Sequence, residues 1–182
     1  MLKVDNVRDM LKQCEEYHGH LCTGQVMGVR LAKKGLELVE AKDIKELIVF
    51  VENDRCITDA ITIASGVRLG RRSLKFLDYG KMAATFVNQR TGEAWRVASR
   101  GDAELPPEQA MTRALEADDE TLLTWQKVTV TFGPGDLPGP PVRIAKCFRC
   151  GETVLDHRDV IVPEEGSICR ACAHGPYYRP CP

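Results

Sequence analysis

The sequence has no long apolar run and almost no net charge. Its longest aliphatic stretch, at residues 47–51, has five residues, far fewer than the roughly 20 that cross a bilayer. Residues 1–17 carry charges every few positions and lack the apolar core of a signal peptide, so we expect a cytoplasmic protein without a membrane span. The formal net charge of −1 argues against a nucleic-acid protein, since such domains are usually strongly basic.

Two common catalytic signatures are also missing. The chain contains neither a glycine-rich phosphate loop nor a G-x-S-x-G elbow, which argues against common nucleotide and serine-hydrolase chemistry. It does contain eight cysteines in 182 residues. In a reducing compartment these are better explained as metal ligands or reactive thiols than as disulfides.

Helical periodicity dominates the first forty residues. One predicted helix has an apolar face at steps of three and four, formed by Val4, Val7, Leu11, Cys14 and His18. Gly19 ends this helix, and a second one runs to about residue 39. The second helix has a side of small residues and one leucine, formed by Gly24, Gly28, Leu31 and Gly35. We expect another part of the chain to pack closely against that side.

Strand signals follow. Residues 46–52 predict a buried strand that ends shortly before Cys56, where helical spacing resumes. Residues 82–88 and 94–98 predict a hairpin. Pro106 and Pro107 predict a helix start, residues 122–125 a further helical turn, and residues 127–132 a half-buried strand. The expected fold is α+β, with helices packed on a small, mostly antiparallel sheet.

A Gly/Pro-rich segment divides the chain. It contains three glycines and four prolines within residues 133–141 and predicts a stiff, extended linker. We therefore expect a core domain at residues 1–132, a linker at 133–142 and a small domain at 143–182.

The small domain contains two C-x-x-C pairs. Cys147 and Cys150 are followed, after 18 residues, by Cys169 and Cys172, a pattern typical of a tetrahedral four-cysteine zinc site. Four thiolates leave no open position, which indicates a structural zinc rather than a catalytic one. Iron uses the same ligands, and His157 or His174 in place of one cysteine is a further alternative. Six Lys or Arg against five Asp or Glu in residues 143–182 favour contact with protein over nucleic acid.

A second cluster lies at the predicted break between the first two helices. His18, His20 and Cys22 alternate across five residues, and imidazole and thiolate are preferred ligands of zinc and related ions. Cys56, at a predicted helix start where the dipole favours a thiolate, is either a fourth ligand or a nucleophile. The alternative is that these side chains are ordinary core residues, as we expect for Cys14 and Met27.

A basic stretch covers residues 68–81. It carries five cations and one anion. Arg71, Arg72 and Lys75 are candidate ligands for an anionic cofactor, although such a stretch is more often a solvated surface.

These motifs together resemble the FmdE family, named for one of the subunits of molybdenum formylmethanofuran dehydrogenase. The resemblance is carried by EYHGHLCTGQVMG at 16–28, D-R-C-x-x-D-A at 54–60, DYGK at 78–81, the Pro-rich linker and the two C-x-x-C pairs. It implies an α+β core, usually dimeric, with a treble-clef zinc finger. Carried over by position, it adds Asp59 and Lys81 to Cys56 as candidate catalytic residues, and supports a second metal held by His18, His20, Cys22 and Cys56.

Two hypotheses of function follow. The first is an accessory protein that binds a metal or cofactor in its core and contacts a molybdenum or tungsten oxidoreductase, of the type linked to methanogenesis, through its finger. The second is a small stand-alone enzyme that uses the core metal or Cys56. The sequence leaves the reaction and the partner open.

Overall fold

The computed structural model describes residues 2, 6–101, 105–179 and 181. The chain divides into two compact units, Met1–Val130 and Thr131–Pro182. In the described residues of the first unit the elements are α1 (Val7–His18), α2 (Thr23–Val39), a single 3-10 turn (Ile44–Glu46), β1 (Leu47–Val51), α3 (Cys56–Ser65), β2 (Leu74–Phe76), β3 (Ala83–Asn88), β4 (Ala94–Ser99), α4 (Pro107–Glu116), α5 (Asp119–Leu122) and β5 (Leu123–Lys127). This is the predicted α+β fold.

The five strands form one sheet in the order β2-β1-β3-β4-β5. Only the β1–β2 pair is parallel, and the other neighbours are antiparallel. The central strand β3 is buried along its whole length. The predicted hairpin is confirmed, with Ala83 opposite Ala98 and Val87 opposite Ala94.

Helix α2 packs against both α3 and the sheet through its glycines. A Cβ on Gly28 would lie 2.7 Å from the Ala60 Cβ, and a Cβ on Gly35 would lie 2.1 Å from the Phe86 ring. Neither position has space for a larger residue, because the core around these contacts is fully packed. The predicted close approach is therefore confirmed, and it brings the N-terminus of α3 next to the start of α2.

Two strand predictions were incomplete or wrong. The strand expected at residues 127–132 lies instead at β5, because β5 follows β4 from Ser99 opposite Leu123 to Trp95 opposite Lys127. Val128 makes one more bond, to the Ala94 carbonyl, and there β4 gives way to the hairpin, so no partner remains for residues 129–132. The helical turn extends only to Leu122. Strand β2 lies within the basic stretch and was not predicted.

The first predicted helix is confirmed as α1, with Leu11 and Cys14 buried. Val4, assigned to the same face, lies outside the described residues. The predicted buried strand and the helix from Cys56 are also confirmed as β1 and α3.

The second unit consists of two small hairpins and a short helix. These are β6 (Ile144–Lys146) with β7 (Thr153–Leu155), β8 (Asp159–Val162) with β9 (Gly166–Cys169), and α6 (Arg170–His174). Among its described residues only two apolar side chains, Cys147 and Ile168, are buried. The Gly/Pro segment belongs to this unit, where Asp136 pairs with Arg158 and the Val142 N–H donates to Asp156.

Within the described residues, no helix is both long and apolar enough to cross a membrane.

Candidate metal centres

The four cysteines of the second unit form one cluster. The sulfur atoms of Cys147, Cys150, Cys169 and Cys172 all lie within 4.8 Å of one another. Neither His157 nor His174 belongs to this cluster. Of the ligand alternatives left open by the sequence, the geometry therefore favours four cysteines.

Local backbone geometry positions these sulfurs. The Gly151 N–H donates to the Cys147 carbonyl with Gly151 at φ +75°, which closes the tight turn that a C-x-x-C knuckle needs. Cys169 caps α6, and its sulfur accepts from the Cys172 N–H at 3.3 Å. The Cys147 sulfur accepts from the Cys169 N–H, also at 3.3 Å. Knuckle and helix start thus face each other.

The thiols of this cluster have divergent acidities. Backbone N–H bonds from Cys150 and Cys169 lower the pKa of Cys147 to about 6, while its hydrogen bond with Cys169 and burial raise the pKa of Cys172 to about 12. Four thiolates this close repel one another strongly. A bound divalent cation removes that repulsion, so the donor set fits a metal such as zinc.

A second cluster joins α1 and α2. One ligand atom from each of His18, His20 and Cys22 lies within 4.8 Å of the others, and the two imidazole rings are 5.0 Å apart between centroids. His18 ends α1, Gly19 adopts φ +91° and Cys22 is the N-cap of α2. The helix break therefore turns the chain so that the three alternating side chains converge, as the sequence predicted.

A buried amide fixes this turn. Gln25 is fully buried, donates from Nε2 to the Cys14 carbonyl at 3.0 Å, and accepts through Oε1 from the Cys22 N–H at 3.1 Å. This residue was not among the sequence-based candidates. Its polar side chain on the buried side of an otherwise apolar helix was the available signal.

Asp59 orients one of the two histidines. The His18 Nδ1 lies 2.9 Å from Asp59 Oδ2 on α3, so the N–H at Nδ1 donates to the carboxylate and leaves Nε2 available to a metal. Metal-binding histidines commonly carry such a carboxylate on the other ring nitrogen. Asp59, predicted as a candidate catalytic residue, thus contacts the first histidine of the cluster directly.

Cys56 lies beside this cluster without joining it. It is the first residue of α3, and a Cβ on Gly24 would lie 3.2 Å from the Cys56 Cβ and 3.7 Å from the Cys22 sulfur. Burial and the neighbouring Cys22 thiol raise the pKa of Cys56. The expected thiolate at a helix start is therefore wrong for the metal-free chain, because desolvation outweighs the helix dipole.

A cavity of about 410 Å³ opens on the other side of Cys56. Its wall is mostly apolar and includes Met27, Ile57, Met82 and Ala110, with polar groups from Thr23, Asn53, Arg55 and Ser99. Met27 is thus core, as expected, and a cavity wall as well. Asn53, another residue that was not predicted, donates to the Lys81 carbonyl at 2.8 Å and so holds the 80–81 turn beside Cys56. A polar run directly after a buried strand was its signal.

The remaining candidates lie elsewhere. The Lys81 ammonium is 5.9 Å from the centre of the Tyr79 ring, and only its neighbour Gly80 lines the cavity. Arg71 and Arg72 are in the turn before β2, and Lys75 is in β2. None of these three lines the cavity beside Cys56. A buried Glu52–Arg96 ion pair at 2.6 Å was not predicted and ties β1 to β4.

The profile of a known family, described as "FmdE, Molybdenum formylmethanofuran dehydrogenase operon", matches residues 17–128. The chain belongs to the FmdE family. The matched range includes the His18, His20 and Cys22 cluster, Asp59 and Cys56. It ends before the four-cysteine cluster.

Two known proteins resemble the chain. A relative from Archaeoglobus fulgidus, named a probable S-adenosyl-L-methionine-binding protein, is 32% identical over 94 residues, or 48% of this chain and 26% of that protein. The chain therefore spans about a quarter of that relative's length. The crystal structure of an FmdE-like protein of tungsten formylmethanofuran dehydrogenase from Syntrophus aciditrophicus matches with a TM-score of 0.68 and 20% identity, over 95% of both chains. This likeness supports the fold.

Proposed function

We propose that this FmdE-family chain is a two-metal accessory protein. The four cysteines of the second unit hold a structural zinc, and His18, His20 and Cys22 hold a second metal ion in the core. The protein acts as a homodimer and associates with a molybdenum or tungsten oxidoreductase of the formylmethanofuran dehydrogenase type. The family description supports that partner class.

The hydrogen bond between His18 and Asp59 is the observation that carries the core site. A histidine that only fills a core has no need of a carboxylate 41 positions away in sequence. The carboxylate fixes the ring orientation and makes Nε2 a stronger donor. Two imidazoles and one thiolate then provide three protein ligands, the number found in catalytic zinc sites with one open position.

Cys56 gives this site two alternative states. As a fourth ligand it would close the coordination shell, and as a free thiol it would leave a position for a small ligand. A metal held by three protein ligands supplies Lewis-acid chemistry when bound. The chain's own residues orient that metal through Asp59 and shield it on the side of Gly24.

The finger supplies the proposed contact surface. Exposed apolar side chains lie on its knuckle at Phe148, on β6 at Ile144 and on β8 at Ile161. Such residues are enriched at protein interfaces. The closed four-cysteine shell and the balanced charge of this unit support a protein partner over a nucleic acid.

Metal content per chain tests the proposal. The native protein is expected to hold two equivalents, Cys147→Ser with Cys150→Ser one, and His20→Gln with Cys22→Ser one. Asp54→Asn, an exposed carboxylate change, serves as the control with two. A single equivalent in the native protein, lost in the finger variant, would overturn the core site.

Association is tested on the tagged chain purified from its own host. Molybdenum or tungsten is expected in the eluate and is expected to disappear with Phe148→Ser. An eluate without either metal would contradict the partner class. Light scattering of the pure chain measures the dimer.

The cavity beside Cys56 favours a second candidate, a small metal- or thiol-dependent enzyme. A thiol that borders both a metal cluster and a cavity is in position to act on a bound molecule. In that case Cys56→Ala would abolish turnover while metal content and melting temperature stay near native. Lys81→Ala would lower turnover only if its side chain leaves Tyr79 to reach the substrate.

A further inference from the structure

The cavity beside Cys56 has a composition that the metal sites do not explain. At about 410 Å³ it lies within the range of small-molecule sites, which are mostly apolar with a few polar groups. Two of its wall residues are methionines, Met27 and Met82, whose flexible thioethers adapt to differently shaped ligands. A closed core would instead fill such a space, because cavities are costly.

The charge around the cavity has one sign among the described residues. Arg55 lines it, and no carboxylate does. No described residue forms a hydrogen bond or ion pair with the Arg55 side chain, whereas Arg30, Arg90 and Arg96 of the same unit each pair with a carboxylate. The positive end of the ten-residue helix α3 adds to this field. An unpaired cation beside an apolar wall favours an anion with an apolar body.

We propose that this cavity binds a small organic monoanion, of the carboxylate or sulfonate kind, with its charge at Arg55 and its apolar body between Met27, Ile57 and Met82. The bound molecule covers the Cys56 thiol. This proposal rests on the proposed function only in placing the ligand on the Cys56 side of the core metal site.

A matched pair of fluorescent probes tests the charge preference. 8-Anilinonaphthalene-1-sulfonate carries a sulfonate, and N-phenyl-1-naphthylamine has the same rings without charge. The anionic probe is expected to bind the full-length protein at one molecule per chain and several-fold more tightly than the neutral one. Equal affinities, or binding of many molecules per chain, would overturn the proposal.

Two variants locate the probe. Arg55→Gln is expected to weaken binding of the anionic probe about fivefold, as for the loss of one partly exposed ion pair, and to leave the neutral probe unchanged. Arg8→Gln removes the same charge from an exposed position on α1 and should change neither. Ala110→Phe, which projects from α4 into the cavity, should abolish binding of both probes. Unchanged binding in Ala110→Phe, with its fold verified by circular dichroism, contradicts the site.

Thiol protection gives an independent readout. The anionic probe is expected to slow alkylation of Cys56 by N-ethylmaleimide at least severalfold, while the exposed Cys181 reacts at the same rate with and without it. Equal slowing of both cysteines, or of neither, counts against the site. Metal content is measured on the same samples. Loss of probe binding with two metals retained would refute this inference alone, and a missing core metal with probe binding retained would refute only the proposed function.

Discussion

The two metal-ligand clusters differ in what holds their ligands in place. In the first unit, the described apolar core includes 24 buried residues, and these position α1, α2 and α3 before any ion binds. In the second unit only two described apolar side chains are buried, too few to offset the entropy of ordering the chain. The same kind of ligand chemistry can therefore serve opposite purposes. One metal is needed for folding, and the other is free to serve function.

The largest expected effect breaks the finger. Cys147→Ser with Cys150→Ser removes half of the zinc ligands, and metal binding supplies much of the folding free energy of such a unit. We expect amide resonances of residues 143–179 to collapse to random-coil shifts in a two-dimensional NMR spectrum, while those of the first unit stay in place. Cys181→Ser should change neither set. A finger that stays folded would show that its hairpins are stable without metal.

Stability of the first unit should depend on packing instead. Gly35→Ala places a Cβ 2.1 Å from the Phe86 ring position, which forces a shift of ring or helix and costs roughly 2–3 kcal/mol in the free energy of unfolding. Urea denaturation followed by Trp fluorescence measures the loss. The control is Gly70→Ala, where nothing lies within 4 Å. Similar midpoints for the two variants would contradict this account.

Loss of the Asp59 carboxylate should separate metal affinity from folding. Asp59→Asn keeps the shape of the side chain but removes the charge next to His18, and loss of such a partner typically weakens metal binding about 10- to 100-fold. Competition with a chromogenic chelator measures the affinity of the core site. The finger metal and the melting temperature should stay near native. If the core affinity were unchanged, Asp59 would have only a structural role.

The smallest effect concerns Cys14, a cysteine outside both clusters. Burial, with a contribution from the Asp59 charge, raises its pKa to about 11, so its thiol stays protonated and unreactive at pH 8. Mass spectrometry after mild alkylation should find Cys14 unmodified and Cys181 modified. Unfolding in urea should make both react. Early modification of Cys14 would show that the first unit opens easily.

Sequence patterns predicted what depends on near neighbours. The spacing of Cys147 and Cys150, and the Gly that follows, determine a knuckle within five residues, and apolar periodicity determines α1 and β1. Helix α3 was found for the same reason.

Contacts between distant segments were outside the reach of these patterns. Asp59 meets His18 only because Gly28 lets α3 approach α2, and a pattern within one segment carries no information about that distance. The register of β5 was missed for a similar reason, since its partner β4 decides where it begins and ends. Arg55 and the Cys56 cavity likewise depend on segments from four parts of the first unit.

The buried amide of Gln25 also bears on how this chain can vary. Its two hydrogen bonds, to the Cys14 carbonyl and the Cys22 N–H, measure out a fixed length of chain between the end of α1 and the start of α2. One residue added or deleted between Gly19 and Leu21 would shift one of these backbone groups away from the amide. Insertions should therefore be tolerated at the exposed Thr91–Gly92 turn, where tags and grafted loops belong, and rejected at residues 19–21.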